Sequence, residues 1–401
     1  MKNISKVLMV CFVLATFTQC KKSGGNTPTP VDPVTTHADD FPAVDNSTPT
    51  NVNIAWDNTD KKVSHTVYFA EYPRVLKLGG DSLYLVYHCG TAGNEWDNIA
   101  IRKSYDGGAN WTAAEIIVAD NNANYYGFAN PQLTLLQNGW ILLAYTGKGN
   151  PDDNLHDNIQ VRISKDRGQT WGTPVIAATG RSWEPATVQL PNGEIEMMFS
   201  SEAAWWPSSD VQQEIRMATS TSNGESWAAS KRVAYTTGKR DGMATPILLK
   251  DGKGILFPIE SVNNSQAPWM VWSSLEAKWD YASTASTSNA RRWLGTTQNI
   301  WGGAPFLVQT TSGEIILAVQ DAGGRTVGSD WKKNTMLVMI GNSIAKNFTN
   351  VTQPWPALPA NEGAYYTTLS MKDNNTILAF ATRNFSDGHS EIYMKTGHIT
   401  R

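Results

Sequence analysis

Apolar and polar residues alternate along this chain in short runs that stop at turn residues, and no stretch keeps a long helical period. The run WEPATVQLPNGEIEMMFSSE, Trp183 to Glu202, shows the unit most clearly. Ala186, Val188 and Leu190 fall on one face, Pro191-Asn192-Gly193 supplies the turn, and Ile195, Met197 and Phe199 run back, which predicts a β-hairpin. The frame recurs as YPRVLKLGGD, NPQLTLLQNG, ATPILLKDG, APFLVQTTSG and YTTLSMKDNN. The turns, at Asp81, Gly139, Gly193, Gly252, Gly313 and Asn375, are spaced by 58, 54, 59, 61 and 62 residues. Copies at this period predict an all-β, six-bladed β-propeller whose blades are four-stranded antiparallel sheets. VSHTVYFA (63–70) alternates like a strand, and the sixth copy runs out before a fourth strand. The N-terminal strand is therefore expected to complete the last blade and leave no free edge.

A second motif follows the third strand of the copies. SYDGGANW (104–111) and SKDRGQTW (164–171) share S-x-D-x-G-x-x-W, and STSNGESW (220–227) has Ser222 in the Asp position. WSSLEAKW (272–279) and NSIAKNF (342–348) read as decayed copies. The Asp can bond nearby backbone N–H groups, the Gly tolerates unusual dihedrals, and the Trp packs beneath. The motif resembles the Asp-box of sialidases and related propeller glycosidases, where it is a structural element.

Six copies of one unit assign residues 51–401 to a single propeller rather than to several domains. Of the 401 residues 17% are charged and 16 are Trp, which suits a β-rich extracellular protein with an aromatic-lined surface. A net charge of −3 gives no basis for nucleic-acid or acidic-membrane binding. No phosphate loop, nucleotide fingerprint or catalytic-metal spacing appears, so no cofactor is expected. At the N-terminus, Lys2 and Lys6 precede an apolar run from Val7 to Phe17, too short to span a bilayer. Cys20 follows, then the polar KKSGGNTPTPVDP. This resembles a bacterial lipoprotein signal over residues 1–20, with Cys20 as the lipidated residue and 21–50 as a disordered linker. It implies lipid anchoring to the outer membrane or cell surface, on its periplasmic or extracellular face; a monomer is expected. Cys89 is then the one thiol of the folded part, expected to be buried and inert.

Propellers bind ligands at one end of the central channel, where each hairpin's first strand starts and its second returns. The start positions are Tyr72, Asn130, Glu184, Met243, Ala304 and Tyr366; the return positions, eight after each turn, are Cys89, Gly147, Ser201, Glu260, Asp321 and Arg383. The acidic members are Glu184, Glu260 and Asp321. Two carboxylates flanking a sugar are what glycoside hydrolysis requires, one as acid/base and the other as nucleophile or water activator. Asp321 is placed as a hydroxyl ligand, and Arg74, Asp97, Asn130, Trp183 and Arg383 as further substrate contacts.

Trp183-Glu184-Pro185 with its hairpin ending in Ser-Ser-Glu, GMATPILLKDGKGILFPIE ending at Glu260, and YPRVLKL resemble glycoside hydrolase family 93. The similarity runs over roughly residues 60–400 in short motifs. It implies a six-bladed, retaining exo-α-L-arabinanase on the sialidase scaffold, acting on a polysaccharide or glycan, with Glu184 as nucleophile and Glu260 as acid/base or the reverse. A second resemblance is to the sialidases themselves, with Tyr366 as nucleophile, Glu184 as its assisting Glu and Asp97 as acid/base. Glu71 then stands in place of the first carboxylate-gripping Arg, which repels an anionic sugar. Asp97 also recurs as Asp157 in HDNIQVRIS, which points to a structural role. A third alternative is a non-catalytic glycan-binding propeller using Trp96, Tyr125, Tyr126, Trp205, Trp206, Trp269 and Trp301 as stacking faces.

Overall fold

The computed structural model describes residues 45–119, 123–208, 212–262, 267–276, 278–279, 292–296 and 300–401. Cys20 and the N-terminal signal lie outside them. The described chain is all-β apart from one 3-10 turn at Trp331–Lys333. Each hairpin frame lies on two paired strands, and each pair extends outward into a four-stranded antiparallel sheet. In chain order the first sheet is Phe69–Gly79, Ser82–Thr91, Asn94–Ser104 and Glu115–Ala119. The second is Tyr125–Leu135, Ile141–Gly149, Asn158–Ser164 and Val175–Thr179. The third is Ser182–Gln189, Ile195–Ser201, Glu214–Ser220 and Lys231–Ala234.

In the fourth sheet the inner strand is split into Arg240–Gly242 and Ile247–Leu248, followed by Gly254–Val262, Pro268–Ser274 and Arg292–Leu294. The fifth is Gly303–Gln309, Ile315–Asp321, Thr335–Gly341 and Thr349–Thr352. Gly363–Met371, Thr376–Asn384 and Ser390–Thr400 form the last, and Asn53–Trp56 adds to its outer strand. A single parallel pairing, Ser390 with Phe69, joins the last sheet to the first.

The strand that completes the last sheet is thus Asn53–Trp56, with Lys61–Lys62 beside it, and not 63–70. The segment 63–68 crosses between sheets instead. Arg102 donates to the carbonyls of Val63 and Ser64, and the His65 N–H donates to the Tyr87 hydroxyl. The Val63 N–H still donates to Ile392 O and Tyr68 O still accepts from Ser390 N–H, but side chains take the groups between these two bonds, so no continuous ladder forms. Residues 45–47, inside the expected linker, accept hydrogen bonds from the Asn342 and Asn347 side chains.

The core lies between successive sheets rather than within one. Leu85 and Tyr87 of the first sheet pack with Leu378 and Phe380 of the last, and Val86 and Ile99 pack with Leu133 and Tyr145 of the second. The same alternation continues through the remaining pairs, ending with Ile316 and Val338 of the fifth against Leu369 and Ile377 of the last. Trp111, Trp171, Trp227, Trp279 and Phe348, the final residues of the S-x-D-x-G-x-x-W copies, each seal one of these layers. Their turns close as expected: Ser104 and Ser164 accept from the N–H of Gly108 and Gly168, and Asp106 and Asp166 from those of Asn110 and Thr170. Ser222, in the Asp position, still accepts from the Ser226 N–H, so the decayed copy keeps the turn. Cys89 is buried in the first layer, and burial pushes its thiol up to about 12.

Candidate active site

Each hairpin's inner strand carries one irregularity at the start position. Tyr72, Asn130, Glu184, Met243, Ala304 and Tyr366 all adopt positive φ, between 44° and 58°. In five of the hairpins this is a bulge in the strand pairing, and in the fourth it is the break between the two inner segments. Non-glycine residues avoid this region, so six recurrences mark a built feature. The bulge frees one backbone N–H, and an inner side chain of the preceding sheet accepts it. Tyr72 N–H donates to Thr382 Oγ1, Asn130 N–H to His88 Nδ1 and Met243 N–H to Ser200 Oγ. Ala304 N–H donates to Glu260 Oε2 and Tyr366 N–H to Gln320 Oε1.

These acceptors correct the expected return positions. The residue before each bulge pairs with His88, Thr146, Ser200, Glu260, Gln320 or Thr382. Counting eight past the turn therefore succeeds only in the fourth sheet. There the turn runs from Leu249 N–H to Gly254 O, one residue longer than Leu190 N–H to Glu194 O in the third. Elsewhere the count lands on the neighbour, whose side chain faces away. Asp321 accordingly accepts from the Trp301 and Gly323 N–H groups, and Arg383 binds Gly363 O, Asp60 and Glu362. Neither joins the carboxylate pair.

Glu184 and Glu260 do converge. Glu184 Oε2 accepts from Ser200 Oγ at 2.8 Å and from Met243 N–H at 2.9 Å. The preceding residue, Gly242, pairs with Glu260, whose Oε2 accepts from Ala304 N–H at 2.8 Å. The two carboxylates thus meet across the Gly242–Met243 peptide. A Cβ at Gly242 would crowd Gln213 Oε1 at 3.1 Å and stand in ordinary contact, 3.5 Å, with Glu184 Oε2. Both acids keep part of their surface exposed while most residues beside them in their strands are buried.

Burial raises both pKa values. For Glu260 the charge of Glu184 adds to it, pushing the group up to about 7. Glu184 is also raised, but the donors from Ser200 and Met243 and the charges of Arg240 and Arg74 oppose the shift. The proton shared by the pair therefore rests on Glu260.

Aromatic side chains complete the surround. Tyr366, half-buried, meets Tyr72 edge-on with ring centroids 5.1 Å apart. Tyr72, Met243 and Ala304, bulge residues of three sheets, pack together with Tyr366. Arg74 lies under the Tyr72 ring, 4.0 Å from its centroid, and donates to Thr368 Oγ1 and Pro73 O. It is buried, a support of the site rather than a surface contact. The Trp183 ring is covered by the ammonium of buried Lys148. Asn130 is buried at its bulge beside His88. Asp97 Oδ2 accepts from Thr91 N–H, as Asp157 Oδ1 accepts from Gly149 N–H in the next sheet. The repeated bond gives Asp97 the structural task of holding its hairpin.

Sequence inspection missed a charged network behind Tyr366. Buried Glu71 accepts from the Tyr365 hydroxyl at 2.7 Å, with His88 Nε2 at 3.9 Å and Lys332 Nζ at 3.8 Å. Despite burial, these groups hold Glu71 down at about 2, fully ionised. Glu71 and Glu184 help to push the Tyr366 phenol well above its ordinary range, after burial itself. Lys332 comes from a distant loop, so no local pattern announces it.

The comparisons with known proteins agree with this architecture. Residues 49–204 match the family model described as a BNR repeat-like domain. No curated protein matches the chain. Among solved structures, a Dyadobacter fermentans protein of unknown function superposes with a TM-score of 0.67 at 17% identity, covering 87% of this chain and 100% of that one. A family 93 α-L-arabinofuranosidase of Fusarium graminearum, solved with arabinobiose, gives 0.60 at 18% identity, covering 84% and 97%. The Hadza microbial sialidase Hz136 gives 0.59 at 13% identity, covering 83% and 66%. The chain has the sialidase-like fold. Arabinanases and sialidases share this fold, and in this chain Glu184 and Glu260 stand at the bulge end of the third and fourth sheets.

Proposed function

We propose that this chain is a retaining glycoside hydrolase that removes α-L-arabinofuranosyl units from a polysaccharide or glycan, in the manner of an exo-α-L-arabinanase. The observation that carries this reading is the meeting of Glu184 and Glu260 across the Gly242–Met243 peptide, each anchored on the bulge N–H of the following sheet. Glu260, protonated near neutrality, donates to the leaving oxygen. Glu184, held as a carboxylate by Ser200 and Met243, attacks the anomeric carbon, and Glu260 then activates water against the covalent intermediate.

Ionised Glu71 behind Tyr366 favours a neutral substrate, because it repels an anionic sugar and keeps the phenol protonated and a poor nucleophile. The test is turnover of an aryl α-L-arabinofuranoside and linear α-1,5-arabinan beside a fluorogenic sialoside. Release from the arabinosides alone is expected; efficient release of sialic acid would transfer the nucleophile to Tyr366, and binding of glycans without cleavage would leave a lectin-like module.

We read the sheets as six blades of one closed ring. Apolar layers join every successive pair including last and first, and Tyr72 N–H of the first sheet is accepted by Thr382 of the last. We also propose lipid anchoring at Cys20. Cys20→Ala should then release the protein from the membrane fraction or leave an unprocessed precursor, whereas unchanged fractionation would remove the claim.

A further inference from the structure

A second built groove lies away from the carboxylate pair, with a cavity volume of about 520 Å³. It opens between Asn53–Trp56, the loop after Thr349–Thr352, and the last sheet, and Trp56, Asp60, Trp355, Arg383 and Lys395 line it. None of these residues takes part in the site on Glu184 and Glu260. The Trp56 ring lies against the backbone of Gly397, where a Cβ would come within 2.7 Å of Cζ3, and its Nε1 donates to Thr352 Oγ1. One face of the indole is therefore packed and its position is fixed, while the residue still lines the groove.

Lys395 stands two residues before Gly397 on the same face of its strand. That face packs against the fifth sheet through Ile399 and the apolar side chains around it. Its neighbours in the alternation are Tyr393, Gly397 and Ile399, so a lysine there breaks the apolar pattern. The residue is only 7% exposed, and among the described residues no hydrogen bond or ion pair holds its ammonium, which lies 5.9 Å from the Trp355 ring centroid. Every other charge lining the groove is committed. Asp60 accepts from Trp355 Nε1 at 2.7 Å and from Arg383 at 3.3 Å, Arg383 also pairs with Glu362, and Asp57 pairs with His398. What remains is one unmatched positive charge beside a fixed indole face and a polar rim. The Lys395 ammonium lines the groove with only the field of Asp60 and the Trp355 ring beside it, so a carboxylate bound there would gain a charge-assisted hydrogen bond.

We propose that this groove is a second saccharide site that takes a uronic acid residue, its ring on Trp56 and its carboxylate on the Lys395 ammonium. The C–H face of a sugar suits the indole, and a carboxylate supplies the acceptor that no protein group provides. The site would hold an acidic glycan chain without taking part in bond cleavage, and it does not depend on the activity assigned to Glu184 and Glu260.

The test is titration of the full chain with trigalacturonate, beside a neutral trisaccharide of equal length, followed by calorimetry. Saturable binding of the uronate alone is expected, weakening with added salt. Lys395→Met and Trp56→Ala should each weaken it by about tenfold or more, and Glu184→Gln should leave it unchanged. Lys395→Met should also keep Tm near that of the parent, since the methionine preserves the packed stem and removes no hydrogen bond or ion pair recorded among the described residues, so its loss of binding is not a loss of folding. Equal affinity for the neutral sugar, unchanged binding in Lys395→Met, binding lost in Glu184→Gln, or no binding at millimolar ligand would each overturn the proposal.

Discussion

Glu184 and Glu260 reach the same place by different routes, and their chemistry should separate accordingly. Glu184 is a bulge residue with φ of 58°, whereas Glu260 occupies the position that Ser200, Gln320 and Thr382 hold in other sheets. In those sheets the side chain accepts the next bulge N–H, and Ser200 in addition donates to Glu184. A carboxylate in that position keeps the structural bond through Oε2 and presents a second oxygen. Glu184→Gln should abolish turnover even of an activated aryl arabinofuranoside, because no covalent intermediate can form. Glu260→Ala should spare glycosylation by that substrate, slow its hydrolysis about 100- to 10,000-fold, and be partly rescued by azide. Full activity in both variants would refute the pair.

The proton on Glu260 gives two pH signatures. Activity should fall as pH rises through about 7, and Glu260→Ala should lose that limb. Stability follows the same sign. Between the ordinary carboxylate value of 4.5 and about 7 the folded chain holds a proton that the unfolded chain has released, so stability is lost as pH rises across that window. Glu260→Gln should therefore be stabilising at pH 8, on the order of 2 kcal/mol, and near neutral at pH 4 in denaturant titrations. An equal effect at both values would mean that Glu260 titrates normally.

At the scale of the element, the hairpin does two jobs with one sequence frame. Alternating residues build the inter-sheet layers, and the bulge turns one side chain per hairpin out of that alternation. Register is fixed by the strand pairing and not by the turn, which is why the longer turn around Lys253 is tolerated. Deleting Lys253 should therefore leave activity near wild type, since Gly242 can still pair with Glu260. Inserting one residue after Pro258 should abolish activity, because a one-residue slip moves Glu260 to the other face. Loss of activity on deleting Lys253, with the fold intact by circular dichroism, would show that the turn sets the site.

At the scale of the whole molecule, the last sheet depends on a strand from the opposite end of the chain. Asn53–Trp56 covers Ser390–Thr400, from Asn53 opposite Thr400 to Trp56 opposite Gly397. Removing residues 45–62 would expose the edge of that long strand, together with the apolar layer containing Val52 and Ile54. The truncated protein should show a lower Tm and concentration-dependent aggregation by light scattering. A monomeric variant with unchanged Tm would mean that the last sheet stands on its own.

The sequence by itself determined the hairpins, their six start positions and the choice of Glu184, because alternation, turn residues and a constant period are local properties that strand pairing must obey. It also carried the box turns, whose bonds span four residues or fewer. Only the tertiary structure decided which return-strand side chains face inward, since one extra turn residue shifts a count without changing the pairing. It decided that Asn53–Trp56 rather than 63–70 completes the last sheet, because the second segment bonds the last strand only at its two ends while Arg102 and Tyr87 take groups in between. Lys332 beside Glu71, and Lys395 with no acceptor among the described residues, are likewise invisible to any local pattern. A charge is paired or stranded by what packs against it, and here the neighbours come from distant parts of the chain.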